Sequence, residues 1–357
     1  MKTVCSEWMI RWTSVLAAVA LTVVISAAPN QKIVAADIAV ETTAASCHSE
    51  ALSSEQATSQ NRPAFWVVSS RSVSWSQIQN PASAVSHLQF FLVDTQGHTT
   101  SAEEAALHEA VASTEALWIV VHGNRMSSSD ALRFMWGFYK IAKDIDGPMI
   151  LWSWPSQPTV RGIARDSRLK ATRSVQEAAL LTAWLNQLRP KGRVVLVGYS
   201  FGAKTLLRAF AESVQAISDG SSQIPSGDSE PWVQTAQRVE LLLIAPAADA
   251  SELNEAIQAG KQSQRPFRIE MTVNTMDPAL KWYRHLWTCH GPNAIGWIVP
   301  CVTSDASSVL RIIDVTGEVG HTHQWQTYFQ SRGVQAILED LRDSHESRRL
   351  MQSQVNR

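Results

Sequence analysis

The chain has 357 residues, of which 45% are hydrophobic, and its formal net charge is −1 at pH 7. This length and apolar content are enough for one large globular domain or two small ones. The balanced charge, with no block of Lys and Arg, argues against a nucleic-acid partner, since phosphate binding needs a basic surface.

The first 36 residues have the pattern of an export signal. Lys2 and Arg11 precede an uncharged apolar run, residues 14–28, and small residues follow it. This order favours a cleaved signal peptide. The alternative is an uncleaved anchor over residues 12–33, because a bilayer span needs about 20 residues. In both cases we expect an exported protein, periplasmic or extracellular, and an anchor would associate it with the cytoplasmic membrane.

Residues 37–62 are rich in Ala, Ser and Thr and lack apolar periodicity, which predicts a flexible tether. We expect one folded domain over residues 63–345 and a polar tail over residues 346–357. Within the domain, Cys289 and Cys301 are close in sequence. Disulfides persist outside the cytoplasm, so we predict a Cys289–Cys301 bridge, with two free thiols as the alternative.

From residue 64 onward, short apolar runs alternate with segments of helical periodicity, as in a mostly parallel sheet covered by helices on both faces. The runs Trp118–Val121 and Leu241–Ile244 are continuously apolar, which is typical of central strands. We therefore predict an α/β fold with roughly eight strands. The predicted strands are Phe65–Ser69, Leu88–Val93, Leu117–Val121, Pro148–Trp152, Val194–Val197, Val239–Ile244, Phe267–Val273 and Leu310–Val315.

Gly198-Tyr199-Ser200-Phe201-Gly202 lies between an apolar run, Val194–Val197, and a segment of helical periodicity, Ala203–Ile217. A G-x-S-x-G sequence between a strand and a helix is typical of a nucleophile elbow, whose sharp turn presents the serine hydroxyl to a base. Ser200 is therefore the candidate nucleophile. The alternative is a chance match to a loose pattern.

The backbone amides of Phe201 and Asn124 are the candidates for an oxyanion hole. His122-Gly123-Asn124 directly follows a predicted strand, and a tight turn there directs the Asn124 amide towards the amide that follows Ser200. The alternative is that His122-Gly123 is only a turn, with His122 packed or hydrogen-bonded for structural reasons.

Asp277 follows the predicted strand Phe267–Val273 and is the preferred acid of a Ser-His-Asp triad. Asp249, after the preceding strand, is the alternative acid. A turn aspartate that accepts hydrogen bonds from its own backbone is the simpler explanation of both.

His321-Thr322-His323 supplies the candidate base, late in the chain as the order Ser, Asp, His requires. His323 is preferred, and His321 is the alternative. A metal site that combines these histidines with Cys289-His290 is less favoured, because no Cys-x-x-Cys or His-Glu-x-x-His sequence accompanies them.

With these residues in place, residues 64–341 resemble the α/β-hydrolase superfamily and, within it, a bacterial group of serine-hydrolase-like proteins of unknown function. The resemblance implies the α/β-hydrolase fold and Ser200 as nucleophile. It favours Asp277 and His323 because residues 274–280 and 323–328 are similar to later stretches of the group. Relatives often carry histidine at the position of Tyr199. The stretches that carry the resemblance are Val121–Asn124, Trp152–Ser156, Asp166 and Gly198–Gly202.

These features predict an exported serine hydrolase, carboxylesterase- or lipase-like, that cleaves an ester or related acyl bond in a small-molecule or lipid-like substrate. No cofactor is expected. The alternatives are an acyltransferase that uses the same acyl-enzyme and a non-catalytic binding protein that retains the fold.

Overall fold

The computed structural model describes residues 63–142, 145–218, 230–287, 291–301 and 304–342. The predicted signal or anchor (1–36), the tether (37–62) and the polar tail (346–357) lie outside these residues. Among the helices of the described ranges, none combines the length and the apolar character that crossing a bilayer requires.

Within the described residues, nine strands form one sheet in the order β3-β2-β1-β5-β4-β6-β7-β8-β9. Neighbouring strands pair in parallel except at β2, which runs antiparallel to β1 and β3. The strands are β1 (Phe65–Ser69), β2 (Gln89–Val93), β3 (Thr99–Ser101), β4 (Ala116–Val121), β5 (Met149–Ser153), β6 (Arg193–Tyr199), β7 (Arg238–Ile244), β8 (Phe267–Val273) and β9 (Leu310–Asp314).

This mostly parallel sheet confirms the predicted fold class. The expected count of about eight strands is one too low, because β3 is a three-residue edge strand of exposed Thr and Ser. Such a strand pairs through its backbone and has no apolar signal in the sequence. The runs predicted as central strands, in β4 and β7, are buried along their whole length.

Helices cover both faces of the sheet. They are α1 (Pro81–Ala84), α2 (Glu104–Ala112), α3 (Ser128–Ala142), α4 (Ile163–Leu188), α5 (Phe201–Ser218), α6 (Trp232–Thr235), α7 (Ala250–Gln262), α8 (Pro278–Trp282), α9 (Thr316–Val319), α10 (Trp325–Gln330) and a helix at 332–342, α11. Helices α4, α5 and α7 pack side by side, and α3 packs against α10. The crossover from β4 to β5 runs in the opposite direction to the later ones, so right-handed connections place α3 on the other face from α4, α5 and α7.

The order of the sheet reverses at β4, which has β5 on one side and β6 on the other. The chain segments that leave β4 and β6 therefore diverge to opposite faces, and a crevice opens at the carboxyl ends of the two strands. His122 follows β4 and Ser200 follows β6, so both residues lie at this crevice.

Helix α10 packs on α3 at Gly137, where the missing side chain leaves a notch for the Trp325 ring. A Cβ atom added at Gly137 would lie 2.2 Å from the Trp325 ring. That ring packs against Phe134 and Phe329, at centroid distances of 5.7 and 5.3 Å. Because α10 begins two residues after His323, this contact sets where the His323 segment lies.

We predict that Gly137→Ala destabilises the protein. Alanine is favoured over glycine in a helix by about 1 kcal/mol. Overpacking a close contact costs about 1–3 kcal/mol, and the Trp325 ring is already packed against Phe134 and Phe329. Urea unfolding measures the difference. The control is Gly317→Ala in α9, where an added Cβ meets nothing within 4 Å. A higher free energy of unfolding for Gly137→Ala would contradict the claim that the Trp325 ring leaves no room for a side chain at position 137.

Candidate active site

Ser200 forms the turn between β6 and α5 in a left-handed backbone conformation, with φ 55°. This conformation is sparsely populated by residues other than glycine. In this turn, the backbone at Gly198 and at Gly202 also lies very close to neighbouring segments. A Cβ at Gly198 would lie 2.6 Å from the Ala203 backbone, and a Cβ at Gly202 would lie 2.1 Å from the Val121 carbonyl oxygen. Both glycines are therefore required sterically.

Hydrogen bonds fix the strained Ser200 backbone in place. Its N–H donates to the Ile244 carbonyl oxygen at 3.0 Å, and its carbonyl oxygen accepts the N–H groups of Ala203 and Ala247 at 3.1 and 3.2 Å. The turn is thus tied to the end of β7 and to the loop that follows it.

The structure brings together Ser200, His323 and Asp277, which are the preferred residues of the sequence prediction. Ser200 Oγ lies 3.0 Å from His323 Nε2, and His323 Nδ1 lies 2.6 Å from Asp277 Oδ2. A proton on Nδ1 faces the carboxylate, so Nε2 is left to accept the serine proton. This arrangement has the connectivity of a Ser-His-Asp triad.

The Asp277 carboxylate is fully buried and each of its oxygens accepts hydrogen bonds. As the N-cap of α8, it accepts the amides of Ala279 and Leu280 on Oδ1 at 2.9 and 3.0 Å. Its Oδ2 accepts the Tyr328 hydroxyl at 2.7 Å in addition to the imidazole. A buried charge is tolerated when it is satisfied in this way.

Two tyrosines that the sequence prediction did not include as site residues hold the His323–Asp277 pair. The Tyr328 hydroxyl, which donates to Asp277, itself accepts Asn274 Nδ2 at 3.3 Å. The Tyr199 ring stacks on the His323 imidazole at a centroid distance of 5.3 Å, and its hydroxyl donates to the His323 carbonyl oxygen. The only sequence signal for Tyr199 is its place inside the elbow, and Tyr328 has none beyond its closeness to His323.

The alternative acid and base lie elsewhere. Asp249 caps α7, where its side chain accepts the amides of Ser251 and Glu252 and the Glu252 side chain accepts the Asp249 amide. It is therefore the helix-capping aspartate of the simpler explanation. His321 is exposed to solvent, whereas His323 contacts Ser200.

The Gly123-Asn124 turn lies directly against the elbow. A Cβ at Gly123 would be 2.8 Å from the Tyr199 ring and 3.1 Å from Ser200 Cβ. Among the described residues, no protein group accepts the amide of Asn124 or that of Phe201. Both amides are therefore available to an oxygen held beside Ser200.

His122 is fully buried and anchors this turn. Its Nε2 accepts the Trp154 amide at 3.2 Å, its Nδ1 lies 2.9 Å from the Gly123 carbonyl oxygen, and its ring stacks on Trp154. Nδ1 therefore carries the proton. Burial, assisted by the positive charge of Arg71, lowers the pKa of His122 from 6.5 to about 3. His122 thus has the structural role that was left open above, and it is neutral.

The Trp-Pro-Ser stretch completes the anchor. The Trp154 indole donates to the His122 carbonyl oxygen at 2.8 Å. The Ser156 carbonyl oxygen accepts the amide of Arg125, and the Ser156 hydroxyl accepts the amide of Met126 at 3.1 Å. The loop after β5 is therefore bonded to the loop after β4 on both sides of Asn124.

Arg71, after β1, is a further residue that the sequence prediction missed. It donates to Ser153 Oγ at 2.8 Å and to Gln157 Oε1 at 2.6 Å, and its Nη2 lies 3.3 Å from His122 Nε2. Burial lowers the pKa of Arg71 to about 10, so the side chain stays charged at neutral pH. It links the ends of β1, β4 and β5, and an isolated arginine after a strand gives no sequence signal for this role.

Asp166, in the first turn of α4, is fully buried. Its Oδ1 accepts the amide of Thr159 at 2.9 Å, and its Oδ2 lies 3.7 Å from Arg125 Nη1. Asp166 therefore orders the loop before α4 and supports Arg125.

The structure gives no support to the predicted disulfide. Cys301 is an exposed free thiol, and Cys289 lies outside the described residues, as does His290 of the metal hypothesis. Within the described part of the chain, no group of three or more His, Cys, Asp or Glu side chains is arranged to hold a metal ion.

We predict that neutral His122 makes the free energy of unfolding fall as the pH is lowered. Its pKa is lower in the folded state, so its contribution is fully present above pH 6.5 and is lost as the pH falls towards 3. Between about pH 6 and 4, the unfolding free energy should fall by up to about 1.4 kcal/mol per pH unit more than in His122→Gln. Chemical unfolding at several pH values measures this, with exposed His87→Gln as control. Equal slopes for wild type and His122→Gln would contradict it.

Comparisons with known proteins agree with this fold. The family described as "Alpha/beta hydrolase of unknown function (DUF900)" matches residues 99–335, well over half of the chain, including Asn124, Ser200, Asp277 and His323. No curated protein and no solved structure matches the chain. The chain therefore belongs to the DUF900 family of α/β hydrolases.

Proposed function

We propose that the protein is a serine hydrolase that cleaves an ester or related acyl bond through a covalent acyl-enzyme. The observation that carries this proposal is the hydrogen-bonded series from Ser200 Oγ through His323 to Asp277, which begins on a strained elbow. Membership of a hydrolase family supports the coarser statement of hydrolase chemistry, and the ester bond is the finer proposal.

In the proposed reaction, His323 Nε2 takes the proton from Ser200 Oγ as the oxygen attacks the substrate carbonyl carbon. The collapse of the tetrahedral intermediate breaks the bond to the leaving alcohol, which receives the proton from His323. Water then attacks the acyl carbon while His323 takes its proton, the bond from that carbon to Ser200 Oγ breaks, Oγ receives the proton from His323, and the acid product leaves. Asp277 keeps the imidazole in the required tautomer and stabilises the imidazolium.

We assign the oxyanion hole to the amides of Asn124 and Phe201. Each donor of this kind lowers the barrier by about 3 kcal/mol in a preorganised site. Preorganisation is supported by the anchoring of the Asn124 turn through His122 and Trp154, and by the position of Phe201 at the start of α5.

The contact of His323 with Ser200 favours this proposal over a non-catalytic binding protein, for which we would expect both histidines to face solvent. Export remains a proposal that rests on the sequence of residues 1–36. Under it, the substrate is an acyl ester, small or lipid-like, outside the cytoplasm.

We predict that Ser200→Ala abolishes covalent labelling by a fluorophosphonate probe and lowers kcat for a p-nitrophenyl ester by about 10⁵- to 10⁶-fold, as loss of a triad serine does elsewhere. Gel fluorescence and ester kinetics measure both effects. The control is Ser86→Ala, an exposed serine that should leave both unchanged. Equal labelling of Ser200→Ala and wild type would remove the assignment of Ser200 as the nucleophile.

Products in which added alcohols or amines have captured the acyl group would indicate an acyltransferase.

We predict that Tyr328→Phe lowers kcat by about 10-fold with little change in KM, because a hydrogen bond to a charged group is worth about 1.5–3 kcal/mol. The phenol holds the same carboxylate oxygen that meets His323 Nδ1, so its loss lets the carboxylate and the imidazole leave the orientation that Ser200 requires.

The matched control for Tyr328 is Tyr139→Phe. The Tyr139 ring packs against Phe65 and Trp136, and among the described residues its hydroxyl has no hydrogen-bond partner. A fall in stability for Tyr328→Phe with kcat unchanged would show that the phenol serves only folding.

A further inference from the structure

Tyr199 is the last residue of β6, directly before Ser200, and its side chain is buried. Its ring stacks on the His323 imidazole at an interplanar angle of 30°. The same ring borders the turn after β4, because a Cβ atom added at Gly123 would lie 2.8 and 3.0 Å from the ring atoms Cδ1 and Cε1. One side chain therefore contacts both the candidate base and the segment that carries the Asn124 amide.

The contact at Gly123 follows from the pairing of two strands. Val121 of β4 lies opposite Gly198 of β6, so the turn that follows β4 passes beside Tyr199 and Ser200. Among the described residues, Gly123 is not one of the glycines with a positive φ. The site therefore requires the missing side chain at Gly123, and not a special backbone conformation. The Tyr199 ring limits how closely this turn approaches the elbow, and so it limits the position of the amide that follows Gly123.

Further contacts hold the Tyr199 side chain in this place. The ring packs against Phe134 and Tyr328 at centroid distances of 5.6 and 6.4 Å, and the hydroxyl donates to the His323 carbonyl oxygen. Burial, assisted by the charge of Asp277, raises the pKa of Tyr199 well above 10. The hydroxyl therefore stays protonated at neutral pH and remains a donor.

We propose that Tyr199 is a positioning residue that sets the Asn124 amide and the His323 imidazole at the same time. It acts on the amide through the contact of its ring with Gly123, and on the base through stacking and the hydrogen bond to the carbonyl oxygen. The assignment rests on the proposed function, since the amide and the imidazole are the oxyanion donor and the base of that reaction. Its consequence is that positions 123 and 199 are matched: a methyl group at 123 fits only where the ring at 199 is absent.

The test compares Gly123→Ala in three backgrounds, which are the wild type, Tyr199→Phe and Tyr199→Val. Phenylalanine keeps the ring atoms that meet position 123 and lacks the hydroxyl, whereas valine lacks both. Gly317→Ala is the control glycine, because an added Cβ there meets nothing within 4 Å. Tyr139→Val is the control for loss of a ring, because Tyr139 packs elsewhere on α3. Ester kinetics are measured per active site, with the sites counted by fluorophosphonate labelling.

We expect Tyr199→Phe to lower kcat by about 2- to 10-fold through the lost hydrogen bond. Tyr199→Val should lower kcat by about 100-fold, the usual effect of misplacing a reacting group by about 1 Å, with little change in KM. Gly123→Ala should also cost about 100-fold in the wild type and in Tyr199→Phe. In Tyr199→Val it should cost at most about threefold more, because the methyl group occupies the space that the ring has left. Gly317→Ala and Tyr139→Val should leave kcat unchanged.

Two further measurements require no turnover. The urea midpoint should fall with Gly123→Ala in the wild type and in Tyr199→Phe, and much less in Tyr199→Val. Proton NMR follows the Nδ1 proton of His323, which faces Asp277 at 2.6 Å and is identified by its loss in His323→Gln. This signal should broaden or disappear in Tyr199→Val and persist in Tyr139→Val.

An equal cost of Gly123→Ala in all three backgrounds would overturn the proposal. So would a Tyr199→Val protein that keeps kcat and loses only stability, since the ring would then serve folding alone. A wild-type protein that neither hydrolyses esters nor reacts with the probe would instead contradict the proposed function. In that case, the urea midpoints and the His323 signal still decide whether Tyr199 positions the two segments.

Discussion

The left-handed backbone of Ser200 is the constraint on which the site depends. A residue with a side chain holds φ 55° only where its surroundings fix it. Here the Ser200 amide and carbonyl are tied to Ile244, Ala203 and Ala247. The close approach of Gly202 to Val121 then joins β6, α5 and β4 at one point. The crevice at the reversal of the sheet is located there, and the Gly123-Asn124 turn and His323 are arranged around it.

His323 reaches this point on a segment with little regular structure of its own, and aromatic packing sets its position. Tyr199 stacks on its ring, Tyr328 bonds to its carboxylate partner, and Trp325 fits the notch at Gly137. Helix α3 carries Gly137 and Phe134, so it supports the position of His323 through packing alone. One cluster of aromatic rings thus holds His323, which lies in a loop, next to Ser200, which lies in a strained turn.

On the other side of Ser200, hydrogen bonds between buried polar groups hold the chain in position. His122, Arg71 and the Trp-Pro-Ser loop satisfy one another's donors and acceptors between the ends of β1, β4 and β5. In a medium of low dielectric each unpaired member would be costly, so the network specifies one arrangement. That requirement gives a physical reason for two motifs, His-Gly-Asn and Trp-Pro-Ser, which lie far apart in the sequence.

The sequence by itself determined the fold class, the elbow and the candidates for acid and base, because apolar periodicity and the glycine spacing around Ser200 are local properties. It preferred Asp277 to Asp249 and His323 to His321 but left both alternatives open, since each pair follows the same kind of strand end. Only the tertiary structure decided which of them meet Ser200. It also introduced Tyr328, Tyr199 and Arg71, whose roles depend on contacts between distant residues, and it showed β3, whose pairing is made by backbone groups that every residue carries.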